Sequence, residues 1–137
     1  MFATPIRRFL AAALLAAGLT AGLVTTPAQA ARGCDKVGTA SLYLDGVRAA
    51  TVNDYDCGLT EYAQVWVWKS FMDSHPQTWS ASVYVQRQSG QQLNRRSYSN
   101  VRQQDMPSSN LPVIPPSAAC GTFSYGGRSA TVCTPYV

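Results

Sequence analysis

Apolar and polar residues alternate over several short segments of this chain, and this alternation is the period of a β-strand with one buried face. The clearest segment spans residues 79–86. One face would carry Trp79, Ala81, Val83 and Val85, and the other would carry Ser80, Ser82, Tyr84 and Gln86. The pattern predicts a strand that packs on one side and meets water on the other.

Residues 61–71 differ, because both faces of the expected strand are hydrophobic. One face carries Tyr62, Trp66 and Trp68, and the other carries Ala63, Val65, Val67 and Phe71. Two apolar faces are typical of a strand at the centre of a sheet. Residues 71–78 predict a turn or loop. Residues 93–99 have few apolar side chains and include Arg95 and Arg96, which predicts an edge strand protected against pairing with another molecule.

A first β-hairpin is predicted around Asp45-Gly46, which suits a two-residue turn with positive φ at both positions. Counting outward gives the facing pairs Leu44 with Val47, Tyr43 with Arg48, Leu42 with Ala49, Ala40 with Thr51, and Cys34 with Cys57. Leu42, Ala49 and Thr51 are therefore expected on the buried face. So long a ladder also predicts a β-bulge, near residues 53–54.

A second hairpin is predicted around Gly126-Gly127. Counting outward from this turn gives the pairs Tyr125 with Arg128, Phe123 with Ala130, Thr122 with Thr131, and Cys120 with Cys133. Both hairpins therefore bring two cysteines opposite each other. We predict the disulfides Cys34–Cys57 and Cys120–Cys133.

These segments define the fold class. About seven short strands, with no amphipathic helical pattern after residue 30, predict an all-β domain. The simplest architecture is a small antiparallel β-sandwich of about seven strands, stabilised by the two hairpin disulfides. A barrel is the alternative.

The first 30 residues match a secretory signal peptide. Arg7 and Arg8 precede an apolar run over residues 9–24, and Ala28-Gln29-Ala30 supplies the small residues of a cleavage site. We therefore divide the chain into a signal peptide, residues 1–30, and a single secreted β domain, residues 31–137. The expected location is extracellular, with no membrane association after cleavage.

Charge and cysteine spacing exclude some partners. Loss of Arg7 and Arg8 lowers the formal net charge from +4 to +2, which does not indicate a nucleic-acid partner. Four cysteines in an exported domain indicate disulfides. A zinc site is not expected, because no two cysteines form a C-x-x-C pair. No metal or other cofactor is predicted.

The chain offers little for catalysis. His75 is its only histidine and is expected to be an exposed turn residue. Asp54, Asp56 and Glu61 are close in sequence, as in a calcium loop or an acid–base pair. However, Val65 stands where such a loop places its bidentate glutamate. We favour a solvated turn beside a disulfide, and we expect no enzymatic activity.

Two sets of side chains are candidates for binding. The aromatic set is Tyr62, Trp66 and Trp68. These rings suit a hydrophobic core, which we favour, but if exposed they would form a platform for sugar rings. The basic set is Arg87, Arg95 and Arg96. The predicted function is that of a small non-enzymatic binding or surface-structural protein, whose partner is a cell-wall glycan or another extracellular macromolecule.

The alternative function is inhibition of an extracellular hydrolase by the Pro-rich loop of residues 105–119. Four prolines in this segment predict an extended loop that crosses from one sheet to the other. Cys120 would brace it. Met106 and Leu111 are poor anchoring residues for a serine protease. A proline directly follows each of them, and proline at that position disfavours productive binding.

The cysteine pairing can be tested by mass spectrometry of a non-reduced proteolytic digest. We expect peptides that join Cys34 to Cys57 and Cys120 to Cys133, because each pair faces across its own hairpin. A peptide that joins Cys34 to Cys120 or Cys133 would contradict both the pairing and the hairpin topology.

Overall fold

A computed structural model describes residues 33–137, and the predicted signal peptide lies outside this range. The described chain forms two antiparallel sheets. Sheet A contains β1 (Asp35–Leu44), β2 (Val47–Asp56), β3 (Thr60–Val67), β6 (Asp105–Pro107) and β7 (Leu111–Pro112). Sheet B contains β4 (Trp79–Arg87), β5 (Gln92–Val101), β8 (Ser117–Tyr125) and β9 (Arg128–Cys133).

Strand order confirms the predicted sandwich. The order is β1-β2-β3-β6 in sheet A, where β7 also pairs with β3, and β5-β4-β8-β9 in sheet B. The sheets do not close into a barrel. The polar strand β5 is an edge strand, as predicted. The strand count exceeds seven because two very short strands, β6 and β7, add to the edge of sheet A.

The core lies between the two sheets. Sheet A contributes the inward side chains of Val52, Val65 and their neighbours, and sheet B contributes Trp79, Val83 and Phe123, all fully buried. Gly121 of β8 faces Val52 and Val65 at a point where no side chain fits. The two sheets therefore pack tightly against each other at Gly121.

The register of the first hairpin corrects one expectation. Asp45 and Gly46 have positive φ, as the turn requires. Ala49 is then an extra residue, so Leu42 faces Ala50 rather than Ala49, and Thr51 faces Ser41 rather than Ala40. Because a strand alternates its faces, this one-residue shift moves Thr51 to the side away from sheet B.

A second bulge lies on the opposite strand. The register shifts again between Lys36 and Gly38, close to where a bulge was predicted, and Val37 is the extra residue. The two shifts cancel, so Asp35 faces Asp56 in the register counted from the turn. The disulfide Cys34–Cys57 forms for this reason, with Cα atoms 4.1 Å apart.

The second hairpin has no shift. The predicted pairs of β8 and β9 are all present, and the disulfide Cys120–Cys133 closes the far end. Both predicted disulfides are therefore confirmed. Each disulfide cross-links the two strands of one hairpin within one sheet.

Two segments differ from the predictions. Residues 69–74 form one short helix, α1 (Lys69–Ser74), so β3 ends at Val67 instead of continuing to Phe71. The predicted extended loop of residues 105–119 contains β6 and β7, both paired with β3. Long-range pairing with β3 determines both strands, and the local pattern of prolines did not reveal it.

Gly121→Ala tests the tight packing between the sheets at this position. An added Cβ would lie 2.6 Å from Val65 Cγ2 and 2.8 Å from Val52 Cγ2. We expect the free energy of unfolding to fall by about 1–3 kcal/mol in urea titrations followed by tryptophan fluorescence.

The control is the double variant Gly121→Ala/Val65→Ala. Shortening Val65 removes one of the clashing methyl groups, so the double variant should lose less stability than the sum of the two single variants. Additive losses, or an unchanged Gly121→Ala, would contradict the proposed contact.

Candidate functional site

Strand β3 presents different chemistry on its two faces. Ala63, Val65 and Val67 point into the core. The alternate positions point away from sheet B, and we call this side of the sheet the outer face of sheet A. It is formed by Thr39, Ser41, Tyr43, Arg48, Thr51, Asn53, Tyr55, Tyr62, Gln64, Trp66, Trp68 and Asp105.

Tyr62 and Trp66 lie on this outer face, and Trp68, directly after β3, contacts Thr51 of that face and also packs against the core. Tyr62 is buried, Trp68 is half-buried and Trp66 is 37% exposed. Tyr43, on the same face, is 53% exposed. The inward residues fill the space between the sheets, so Trp66 and Tyr43 are not part of that core. This exposure favours the platform interpretation over the core interpretation.

A chain of hydrogen bonds between side chains crosses the outer face and links four strands. Thr39 Oγ1 donates to Asn53 Oδ1 at 3.0 Å, and Asn53 Nδ2 donates to Gln64 Oε1 at 2.9 Å. Gln64 Nε2 then donates to Asp105 Oδ1 at 2.8 Å. We call these four residues the polar ladder. Every donor points towards the Asp105 carboxylate, so the bonds polarise one another in the same direction.

The polar ladder restricts the side chains beside it. Asn53 and Gln64 are buried, and each uses both ends of its amide group within the ladder. Their rotamers are therefore fixed. Trp66 and Tyr62 flank Gln64 on the same face of β3 and so stand beside a rigid polar strip.

Aromatic contacts lie on both sides of the ladder, along β2 and β3. On one side, the rings of Tyr55 and Tyr62 stack with their centroids 4.9 Å apart and an interplanar angle of 10°. Burial, followed by the negative charge of Asp105, raises the pKa of Tyr55. Burial therefore favours the neutral form of its phenol group.

On the other side of the ladder, Trp68 is held from two directions. Its indole Nε1 donates to Thr51 Oγ1 at 2.7 Å, and the Arg48 guanidinium lies 4.1 Å from the centroid of its ring. Thr51 can accept this bond only because the Ala49 bulge turns it to the outer face. The shift in register thus determines how Trp68 is held.

The predicted arginines do not join this surface, because all three belong to sheet B. Arg95 lies over the Tyr84 ring and donates to Ser82 Oγ at 2.6 Å. Arg96 lies over the Tyr98 ring on the other face of β5. Arg87 lies at the end of β4, beside the proline-rich segment. The three arginines therefore do not form one binding surface.

Two carboxyl groups that were expected in a solvated turn are instead buried. Asp54 and Glu61 point inward from β2 and β3 and are 2% and 5% exposed. Ser117 Oγ of sheet B donates to Glu61 Oε2 at 3.0 Å, and Glu61 Oε1 has no hydrogen-bond partner within residues 33–137. Asp56, at the strand end, accepts a bond from the Gly58 N–H. Alternation along paired strands, not the turn, brings the buried pair together.

Burial has an electrostatic consequence for this pair. Loss of hydration, followed by the charges of Glu61 and Asp56, raises the pKa of Asp54 to about 6. Burial also raises the pKa of Glu61, against the opposing effect of its bond from Ser117. Within the described range, no group of three or more acidic, histidine or cysteine side chains is arranged to hold a metal ion.

His75 lies in a small pocket between the two hairpin turns. It is half-buried, which corrects the expectation of an exposed turn residue, and its ring stacks on Phe71 at 3.8 Å. Its Nδ1 lies 2.9 Å from the Phe71 carbonyl oxygen. The pocket has a volume of about 270 Å³, and Asp45 and Arg128 pair with each other at its rim.

A second pocket of about 270 Å³ is lined by Arg87 and by residues 114–116. Ligand pockets usually measure about 300–1,000 Å³. Both pockets lie just below that range, so the outer face of sheet A is the more extensive candidate surface.

Much of the proline-rich segment takes part in sheet A and in the buried core. Met106 and Leu111, the apolar residues of the inhibitor hypothesis, are buried and belong to strands paired with β3. Ile114 is exposed near a cis peptide bond between Pro115 and Pro116. The exposed parts of the segment are therefore Ser109-Asn110, Pro112 and residues 114–116.

The comparisons with protein-family models, curated proteins and solved structures found no match for this chain. In the described part of the chain, no helix has the length and apolar character to cross a membrane. The functional proposal therefore rests on the geometry of the outer face.

The sequence identified part of this face. Tyr62, Trp66 and Trp68 were found from alternation in β3. The polar ladder was missed, because it depends on which residues of β2 face outward. Arg48 was expected on this face opposite Tyr43, which the register confirms, but its contact with Trp68 was missed. One signal was available, since Gln64 is a polar residue within the hydrophobic run of residues 62–68.

The buried carboxyl group of Asp54 predicts an unusual pH dependence of stability. Its pKa is near 3.8 in the unfolded chain and about 6 in the fold, so the folded state binds more protons between these values. The contribution is complete below pH 3.8 and disappears as the pH rises through 6. It amounts to up to about 3 kcal/mol.

Thermal unfolding at pH 4.5 and 7.5 measures this effect, with Asp54→Asn as the matched variant. Asparagine imitates the protonated carboxyl group, so the variant should be more stable than the wild type at pH 7.5 and should depend less on pH. An equal pH dependence in both proteins would show that Asp54 does not cause it.

Proposed function

We propose that the mature chain is a secreted, non-enzymatic protein that binds an extracellular carbohydrate polymer through the outer face of sheet A. The observation that carries this proposal is the exposure of Trp66 beside the polar ladder. The opposite face of the same strand already supplies the core. The exposed ring is thus available for a ligand.

The aromatic side chains suit the apolar faces of sugar rings. Tryptophan and tyrosine offer large flat surfaces at a low entropic cost, because their side chains have few rotatable bonds. Trp66 and Tyr43 are exposed, and Trp68 is held in place by its bond to Thr51. Such rings lose little freedom when a sugar stacks on them.

The hydroxyl groups on the same face suit the polar edges of sugars. Thr39 is exposed and Ser41 is half-buried, and both stand on the edge strand β1. The Ser41 hydroxyl can donate one hydrogen bond and accept others, whereas Thr39 already donates to Asn53 and can only accept from a sugar. An open face across several strands suits a polymer, which needs an extended surface rather than an enclosed pocket.

Two features support an extracellular location. Residues 1–30 have the composition of a signal peptide. Two disulfides staple the described domain, and such bonds persist in oxidising compartments. Extracellular polymers would be the accessible ligands in that location.

Trp66→Ala tests the proposal. The purified mature protein should sediment with at least one of insoluble cellulose, chitin and peptidoglycan, and the variant should bind about tenfold more weakly or worse, because it loses one stacking contact. Quantified sedimentation over a range of polysaccharide concentrations provides the affinity.

Leu59→Ala is the matched control, because Leu59 is an apolar residue that is 89% exposed and lies outside the outer face. It should bind like the wild type, and both variants should unfold at nearly the wild-type temperature. Wild-type protein that stays in the supernatant with every polysaccharide would refute the proposal, as would a Trp66→Ala variant that binds normally.

A further inference from the structure

Arg48 differs from the arginines that serve the fold. Arg128 pairs with Asp45, and Arg102 donates to the carbonyl oxygens of Met72, His75 and Gln77. Arg95 donates to Ser82 and Gln92. By contrast, neither ion pair found within residues 33–137 includes Arg48, and its guanidinium lies over the Trp68 ring. Within the described residues its N–H groups are therefore available for an external acceptor.

The position of Arg48 is set in advance. Its guanidinium lies 4.1 Å from the centroid of Trp68, and Trp68 is held by Thr51. Stacking on a fixed ring restricts a long side chain without using its hydrogen-bond donors. Arg48 is nevertheless exposed. A preorganised, unpaired guanidinium beside a sugar platform is suited to an anion.

The other charges on the outer face do not cancel this one. Asp105 stands on β6, at the opposite edge of the sheet order from β1, and it accepts the terminal bond of the polar ladder. Lys36 of β1 is exposed and faces Tyr55 of β2. The face thus has cationic groups on β1 and β2 and a carboxylate on β6, which would orient a charged chain across the strands.

We infer that the ligand is an acidic polysaccharide and that Arg48 binds the anionic group of a sugar residue whose neighbour stacks on Trp66. This inference rests on the proposed function and adds the substrate class. Carboxylate and phosphate groups share the necessary chemistry, because both present oxygen pairs that a guanidinium can bind through two parallel N–H bonds.

A matched pair of polymers tests the carboxylate. Polygalacturonate and its methyl ester have the same backbone, but the ester lacks the charge. We expect the wild-type protein to bind polygalacturonate about tenfold more tightly than the ester, and we expect the preference to shrink as salt is added. A phosphorylated mannan compared with the same mannan after dephosphorylation tests phosphate in the same way.

Arg48→Gln keeps most of the side-chain length and removes the charge. It should lose the preference, so that the acidic and the neutral polymer bind this variant with nearly equal affinity. Arg48→Lys should retain part of the preference, because lysine keeps the charge but cannot form the bidentate contact. Lys69→Gln controls for net charge, since Lys69 is paired with Asp73 at 2.8 Å on α1. It should leave the preference unchanged.

The outcomes separate this inference from the proposed function. Binding to neutral and acidic polymers with equal affinity would refute the role of Arg48 and leave the glycan platform in place. An Arg48→Gln variant that keeps the preference would also refute that role. Failure to bind any polymer, neutral or acidic, would overturn both proposals.

Discussion

The alternation of side chains along a β-strand is the constraint on which this structure depends. A shift of one residue exchanges the two faces of a strand, and the β1–β2 hairpin contains two such shifts on opposite strands. Between the bulges, Val52 and Asp54 face the core while Thr51 and Asn53 face outward. Beyond them the original register returns, so that Cys34 meets Cys57. The same pair of bulges therefore determines the composition of the outer face and permits the disulfide.

Strand β3 makes use of both of its faces. Inward, Val65 packs where the absent side chain of Gly121 lets the sheets approach. Outward, Gln64 joins the polar ladder, which ties β1, β2, β3 and β6 together without using backbone groups. The strand is thus central both to the packing of the sandwich and to the candidate binding surface. Rigidity of the core supports rigidity of the platform, because the two sets of side chains alternate on one backbone.

The buried carboxyl groups and the candidate binding groups lie in different parts of the molecule. Asp54 and Glu61 are buried between the sheets, and Glu61 reaches Ser117 of sheet B. Burial of a carboxyl group opposes its ionised form, so this pair affects the stability of the fold. Arg48 lies on the outer face, where its charge remains hydrated and available. A change at the buried pair would therefore alter stability without directly changing the chemistry of the outer face.

The sequence by itself determined the elements whose causes are local. Two turns of suitable residues defined both hairpins, and counting outward from these turns gave the pairing of the cysteines. Alternation identified β4 and showed that both faces of β3 are hydrophobic. Only the tertiary structure decided which face of β3 meets the other sheet, where the bulges of β1 and β2 lie, that residues 69–74 form a helix, and that β6 and β7 pair with β3. These features depend on contacts between residues far apart in the chain, and no local pattern of residues encodes them. For the same reason the aromatic residues could be named from the sequence, whereas the polar ladder and the contact of Arg48 with Trp68 could not.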